Sequence, residues 1–395
     1  MSSQEVKEFS LLGMVPNAIK NSEASLIRTF DAYASQFEGV IRLTLGEPDF
    51  DTPQKIKDAA VQSLKDNHTH YPQTVGTPEF RKAVCEFLKR RRGLDYQPDQ
   101  IIATIGASEA LRSAMSALIS PGDVVIVPTP AFGFYETIAR QLGAQVVRID
   151  TSRSDFKLSP ETLNRTLAAL EDVNTLLVLN YPNNPTGVNP TRAEIKALAD
   201  VVARHKAAVI SDEVYALIAY DEPTTSIAEF LPDRTVLVDS CSKTLAMTGW
   251  RLGYVAAPKE IIPQIAKVHQ STVATAPRPA MDAAVVGYRD CDDDVDAMVE
   301  EYHTRRNLLY YGLKAQGFDC VPSAGAFYLY ARIPDSFADT MTFCKAMVEK
   351  AKVAAVPGDA FEKNSRYVRF SYATSQENLR EALHRISAWK AKEGF

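Results

Sequence analysis

Apolar positions along the chain fall in two registers, short solid runs and longer stretches with helical spacing, and the two alternate. TLLVLN (175–180) is the clearest solid run and reads as a strand buried on both faces. TRAEIKALADVVARH then places Ile195, Leu198 and Val202 on one helical face, with Thr191 and Glu194 at the spacing of a capping box, and AAVISDE returns as a strand. Further strands are predicted at IIATI (101–105), DVVIV (123–127), TVLVDS (235–240) and YVAA (254–257). This alternation predicts an α/β fold, a mainly parallel wound sheet with helices on both faces, over roughly residues 47–290. Beyond it, EEYHTRRNLLYYGLKAQG reads as a long helix leading into strands AFYLYARI and YVRFSYA, with a last helix from about Gln376. Residues 291–395, with residues 1–46 folding back on them, are expected to form a smaller α+β domain.

Length and composition agree with that division, since 395 residues with 46% apolar content suffice for one large domain and a smaller one. The net charge of −5 is spread along the sequence, and its one basic block, Lys89 to Arg92, reads as a solvated helix end. Neither nucleic acid nor an anionic membrane surface is indicated. No apolar run reaches the roughly 18 residues a spanning helix needs, and Glu5, Lys7 and Glu8 stand where a signal peptide would be apolar. A cytoplasmic location is therefore expected. The five cysteines form no CxxC pair, which speaks against both a disulfide framework and a zinc site. His68 and His70 lack further ligands nearby and read as polar loop residues, so no metal is expected.

The unusual residues gather at the carboxyl ends of the predicted strands, where open α/β sheets bind ligands. After IIATI comes GASEAL, small residues opening a helix whose free N–H groups would hold a phosphate. After TLLVLN comes YPNNPTG, a proline-rich turn displaying Asn183 and Asn184; after AAVIS comes DEVY, with Asp212 and Tyr215; after TVLVDS comes Lys243 in SCSKTLAMTGWR. Each has a plainer reading alone: a turn, a helix cap, a core tyrosine, a solvated lysine. Together they match pyridoxal phosphate catalysis, in which a lysine forms a Schiff base with an aldehyde and an acid keeps the pyridine nitrogen protonated. Leu245, Met247, Trp250 and the cation Arg251 are expected to disfavour the ammonium form of Lys243, and Ser240 and Arg251 flank it to hold the phosphate.

An ordered series of motifs, LTLGEPDFDTP, HYPQTVGTPEFR, GASEAL, YPNNPTG, SDEVY, SKTLAMTGWRLGY, PSAGAFY, AVPG and VRFSYATS, resembles the fold-type I, class I pyridoxal-phosphate aminotransferases of the aspartate and aromatic group. The resemblance implies pyridoxal 5'-phosphate as cofactor, with Lys243 as its Schiff-base lysine, Asp212 as the pyridinium partner, and Tyr215 with Asn184 as donors to the 3-hydroxyl oxygen. It also implies a phosphate cradle of Ala107, Ser108, Ser240 and Arg251, joined by Tyr71 from a second subunit, and hence a homodimer. Phe132 takes the place of the ring-stacking aromatic, without the hydrogen bond a Trp or Tyr would add. Arg369 matches the arginine that grips the substrate α-carboxylate, beside Gly46, where a small residue lets the substrate approach.

The implied activity is ping-pong transfer of an α-amino group from an amino acid to a 2-oxo acid such as 2-oxoglutarate. Phe132, Phe134 and Tyr135 would suit an aromatic donor and equally an ordinary core; the resemblance to aromatic-type members of the group favours that donor, with aspartate or N-acetyl-diaminopimelate as alternatives. Arg278 stands near where dicarboxylate-specific relatives place a second arginine, although its surroundings differ and a salt bridge is the default expectation. A carbon–sulfur lyase shares the same lysine and acid. A regulator's sensor domain needs a DNA-binding domain, for which the roughly forty residues before LTLGEPDF leave no room. No GxGxxG after a strand, P-loop or GxSxG occurs, which disfavours a nicotinamide dehydrogenase, a P-loop enzyme or a serine hydrolase.

Overall fold

The computed structural model describes residues 10–22 and 24–395; Glu5, Lys7 and Glu8, read above against a signal peptide, lie outside them. Twelve strands are described: β1 (Ile41–Arg42), β2 (Ile101–Thr104), β3 (Val124–Thr129), β4 (Gln145–Asp150), β5 (Thr175–Asn180), β6 (Ala207–Asp212), β7 (Thr235–Ser240), β8 (Gly253–Ala256), β9 (Tyr328–Arg332), β10 (Val353–Ala354), β11 (Val356–Pro357) and β12 (Tyr367–Ser371). Seven of them form one sheet in the order β2-β8-β7-β6-β5-β3-β4. All its pairings are parallel except those of β8, which runs antiparallel to both neighbours. The predicted α/β architecture is thus present, and the solid apolar runs are its central strands: every residue of β5 is buried.

Strand β4 escaped the sequence reading for a physical reason. QVVRID lies at the sheet edge and is largely solvated, so Gln145, Arg148 and Asp150 interrupt any apolar run. The helix at Arg192–Ala203 forms as predicted. The Thr191 hydroxyl accepts from the Glu194 N–H, the Glu194 carboxylate accepts from the Thr191 N–H, and Ile195, Leu198 and Val202 are buried.

The chain's later part builds a three-stranded antiparallel sheet, β11-β12-β9, and β1 pairs in parallel with β10, which ties the early segment to the late one. The helix Asp292–Ala315 begins earlier than its apolar spacing suggested, because Asp292, Asp293 and Asp294 occupy its first turn, where the helix dipole favours negative charge. Its Tyr302 and Leu309 pack in one apolar cluster with Phe327, Phe370, Leu379 and Trp389. Val214 and Tyr215, just past the end of β6, join the same cluster, so the strand ends of the large sheet abut the smaller sheet there.

All five cysteines are free and buried. Among the described residues no helix is long and apolar enough to cross a membrane, and no group of three His, Cys, Asp or Glu side chains could hold a metal ion.

Candidate active site

Parallel pairing brings the carboxyl ends of β5, β6 and β7 side by side, with Asn180 opposite Asp212. Past the end of β7 the chain makes one short helical turn, Cys241–Thr244, in which the Ser240 hydroxyl accepts from the Ser242 N–H at 3.4 Å. This turn presents Lys243, whose Nζ donates to the Gly46 carbonyl at 2.5 Å. Burial pushes its amine down to about 8, Arg369 and Arg251 act in the same direction, and Glu47 and Asp212 oppose them. The expected depression is therefore present, with burial and Arg251 among its causes as expected and Arg369 added to them. Leu245 and Met247 pack into a core cluster with Leu237 and Tyr254, and the centre of the Phe327 ring lies 5.9 Å from the amine.

Asp212 is 4% exposed at the end of β6. Its carboxylate accepts from the Tyr135 hydroxyl at 2.6 Å and from the Val214 N–H at 3.4 Å, while its own carbonyl accepts from the Asn180 amide at 3.0 Å. Burial nonetheless raises the carboxyl to about 6, against the lowering effect of Tyr135 and the attraction of Lys243. Sequence reading counted Tyr135 only as an aromatic neighbour, since a hydroxyl aimed at a residue 77 positions away leaves no local pattern. Tyr135→Phe is expected to move the Asp212 carboxyl further up and to lower turnover about tenfold, the size of one hydrogen bond to a charged group. Carboxyl-carbon NMR titration of Asp212 in the apo chain, beside steady-state rates, checks both.

A second group of contacts converges on Arg369, which β12 carries into the interior at 1% exposure. Its Nη1 donates to Asn184 Oδ1 and its Nη2 to the Thr44 carbonyl, each at 2.8 Å, while the guanidinium lies 4.3 Å from the centre of the Tyr328 ring. Both hydrogen-bond acceptors are neutral, and the buried Nε has no hydrogen-bond partner. Such a cation, pushed toward lower pKa by burial, suits an incoming carboxylate. Tyr328, unnoticed in the sequence, also places its hydroxyl 2.8 Å from that of Tyr215. Gly46 sits against both: a Cβ there would come within 2.7 Å of the Tyr328 hydroxyl and 4.0 Å of Arg369 Nη2.

In the YPNNPTG turn the two amides divide. Asn184 reaches Arg369, but the Asn183 carbonyl oxygen accepts from the Thr186 N–H and hydroxyl, so Asn183 braces its own turn instead of facing the site.

On the other side, the helix Gly106–Leu118 opens directly after β2 with Ala107 and Ser108 in its first turn. The backbones meet closely there. A Cβ on Gly106 would lie 2.8 Å from Arg251 Nη2, and one on Gly253 would lie 2.9 Å from the Gly106 carbonyl carbon and 3.0 Å from the Ala107 nitrogen. Gly253 is paired with Ser240, so Ser240, Arg251 and the helix N-terminus adjoin. Phe132 packs against Phe134 and Tyr135, with ring centres 4.5 and 6.0 Å apart, and Tyr135 in turn bonds Asp212. Of the expected site residues only Tyr71 stands apart, 88% exposed on the surface of this chain. Arg278 is engaged elsewhere, its Nε 2.8 Å from Asp282, which also binds His68 and Ser63.

Comparison with known proteins agrees with this geometry. The model of the family described as aminotransferase class I and II matches residues 38–386. The chain is 39% identical over 373 residues to a probable N-acetyl-LL-diaminopimelate aminotransferase of Bacillus subtilis, covering 94% of each. It is 38% identical to an aspartate aminotransferase of Pyrococcus horikoshii, covering 94% of this chain and 95% of the other. The crystal structure of an aromatic aminotransferase from Pyrococcus horikoshii superposes with a TM-score of 0.87 at 36% identity, over 92% of this chain and 99% of that one.

The family's cofactor is pyridoxal 5'-phosphate, and the residues present fit it. Lys243 is a lysine whose amine burial pushes down to about 8, Asp212 is a buried acid suited to a cationic ring nitrogen, and Gly106 and Gly253 let an arginine and a helix N-terminus come together, donors suited to a phosphate. The chain belongs to the class I and II aminotransferases and is a pyridoxal 5'-phosphate-dependent transferase of amino groups between amino acids and 2-oxo acids.

Proposed function

We propose that the chain moves the α-amino group of an amino acid with an aromatic side chain to a 2-oxo acid such as 2-oxoglutarate, by ping-pong turnover in a cytoplasmic homodimer. The observation that carries the site assignment is that Lys243 is held at the Gly46 carbonyl, beside Arg369, and feels the charges of both Arg369 and Asp212. When bound, pyridoxal 5'-phosphate supplies an aldehyde carbon that exchanges amines and a cationic ring that takes up electron density from the substrate α-carbon.

The chain's own residues do the rest. Lys243, about a tenth of whose amine is unprotonated at pH 7, would hold the aldehyde and, once freed, would accept the proton from the substrate α-carbon and return it. Asp212 holds the proton on the ring nitrogen, with Tyr135 fixing its orientation. Tyr215 and Asn184 would donate to the 3-hydroxyl oxygen, and Phe132 would pack against the ring. Ala107, Ser108, Ser240 and Arg251 hold the phosphate, with Tyr71 of a second copy completing the set. Arg369 grips the α-carboxylate beside Gly46. In this reading residues 47–290 form the cofactor-binding domain and residues 1–46 with 291–395 the smaller domain, a division supported by the pairing of β1 with β10.

One feature supports an aromatic over a dicarboxylate donor: the Arg278 guanidinium is already occupied by Asp282. Adding single amino acids to the holoenzyme while following cofactor absorbance tests this directly, with restoration by single oxo acids identifying the acceptor. Faster conversion by aspartate than by phenylalanine or tyrosine overturns the aromatic assignment. In the same assay Arg278→Ala is expected to change the phenylalanine-to-aspartate rate ratio by less than about threefold, since a partly exposed ion pair is worth little.

A further inference from the structure

We infer that His269 and Glu109 form a buried clamp that positions the phosphate end of the cofactor site, and that it ties together the two segments meeting that phosphate in the dimer. The inference rests on the phosphate assignment proposed above. His269 lies on the helix Ile262–Val273 and is 0% exposed. One ring nitrogen, Nδ1, is 3.1 Å from Glu109 Oε2; the other, Nε2, is 3.0 Å from the Thr74 carbonyl. A carbonyl only accepts, so the ring hydrogen on Nε2 belongs to Thr74. A carboxylate also only accepts, so the ring donates at both nitrogens when both bonds are made.

Each partner leads to the phosphate cradle by a short route. Glu109 Oε2 accepts the N–H of Ile105 at 3.1 Å, and its other oxygen accepts from the Ser113 hydroxyl. Ile105 is the cap residue of the helix that presents Ala107 and Ser108, and its own side chain makes no capping bond, so Glu109 closes that turn from inside the helix. Thr74 belongs to the loop that exposes Tyr71. That loop is tied at one end by His68 to Asp282 at 2.7 Å and at the other by the Gln73 carbonyl to the Thr275 hydroxyl at 3.1 Å and by the Val75 carbonyl to the Ala103 N–H at 3.0 Å. Tyr71 stands between these anchors. A single imidazole thereby couples the helix start that serves this chain's site to the loop that serves the second copy's site. The helix also packs against β2, whose side chains (Ile101, Ile102, Ala103, Thr104) carry no ionisable group.

Titrating the apo chain with pyridoxal 5'-phosphate, and reading its dissociation constant by absorbance, tests the clamp in a binding measurement apart from turnover. His269→Ala and Glu109→Ala are each expected to weaken binding about tenfold or more, the effect of removing a buried charged hydrogen bond. Glu109→Gln is expected to stay within about threefold of the unsubstituted chain. With its oxygen in the place of Oε2 the amide still accepts from both Ile105 and Nδ1–H, and its NH2 can donate to the Ser113 hydroxyl in the place of the other oxygen. If the alanine variants do not fold, His269→Gln, which can donate to only one of the two acceptors, takes their place with the same expected weakening. Unchanged affinity in the His269 variants, or Glu109→Gln as weak as Glu109→Ala, overturns the clamp. Failure of the unsubstituted chain to bind the cofactor would instead overturn the phosphate assignment itself.

Discussion

Lys243→Ala is expected to lose at least about four orders of magnitude in transamination rate, the upper end of what one positioned proton-transfer group contributes. In the proposed reading the lost amine is both the group that bonds the cofactor aldehyde and the base that meets the α-proton, and TVLVDSCSKT carries no other lysine at that strand end. The sign of the pH effect in the unsubstituted chain follows from the same residue. Only the unprotonated amine attacks an aldehyde, and with its pKa pushed down to about 8 by burial, roughly one-tenth of it is unprotonated at pH 7, some 300-fold more than for an ordinary lysine. Capture of pyridoxal 5'-phosphate by the apo chain should therefore quicken as pH rises and level off above about 8. A small primary amine in solution should restore part of the activity to Lys243→Ala, because the space left by the side chain adjoins the Gly46 carbonyl that the native amine used. Stopped-flow absorbance of the half-reaction measures all three effects; full turnover in the alanine variant would falsify the assignment.

What the sequence could and could not display follows from where each residue sits. The central strands and the strand-end residues were legible because solid apolar runs have one structural meaning in this pattern and because a parallel sheet forces their ends onto one rim. Lys243, Asp212, Tyr215 and Asn184 were legible for that reason. Arg369 and Gly46 were reached through the motif series alone, since nothing in VRFSYATS says that the guanidinium turns inward to 1% exposure. The edge strand β4 was lost to its own solvated residues. Tyr135, Tyr328, Thr44 and Asn180 were lost because their work is done across the fold: the Thr44 carbonyl and Arg369 are 325 residues apart in sequence and 2.8 Å apart in space. Asn183 erred in the opposite direction. A turn that displays two amides cannot both close itself and offer both outward, and Thr186 takes one of them.

Asp212→Asn should separate function from stability in opposite directions. The folded chain holds this carboxyl at about 6, above its ordinary value of 3.8, because burial penalises the charge more than Tyr135, Val214 and Lys243 repay it. A raised acid favours the fold fully at pH below its unfolded value, and that contribution is lost as pH rises through about 6. At pH 7 the apo chain therefore carries a buried carboxylate that opposes folding by about 3 kcal/mol, two pKa units at 1.36 kcal/mol each. Asparagine removes the charge but accepts only one of the two hydrogen bonds from Tyr135 and Val214, which costs about 1 kcal/mol. The apo variant should thus be more stable than the unsubstituted chain by about 1 to 2 kcal/mol at pH 7, and the gain should vanish near pH 4. Activity should fall about 1000-fold, because a neutral amide cannot keep a proton on the ring nitrogen where negative charge must be taken up. Thermal denaturation of apo Asp212→Asn at pH 4 and pH 7, beside half-reaction rates, separates the alternatives. If the variant is less stable at both pH values, Asp212 serves the fold and not the cofactor; if it is stabilised yet fully active, the ring nitrogen finds its proton's partner elsewhere.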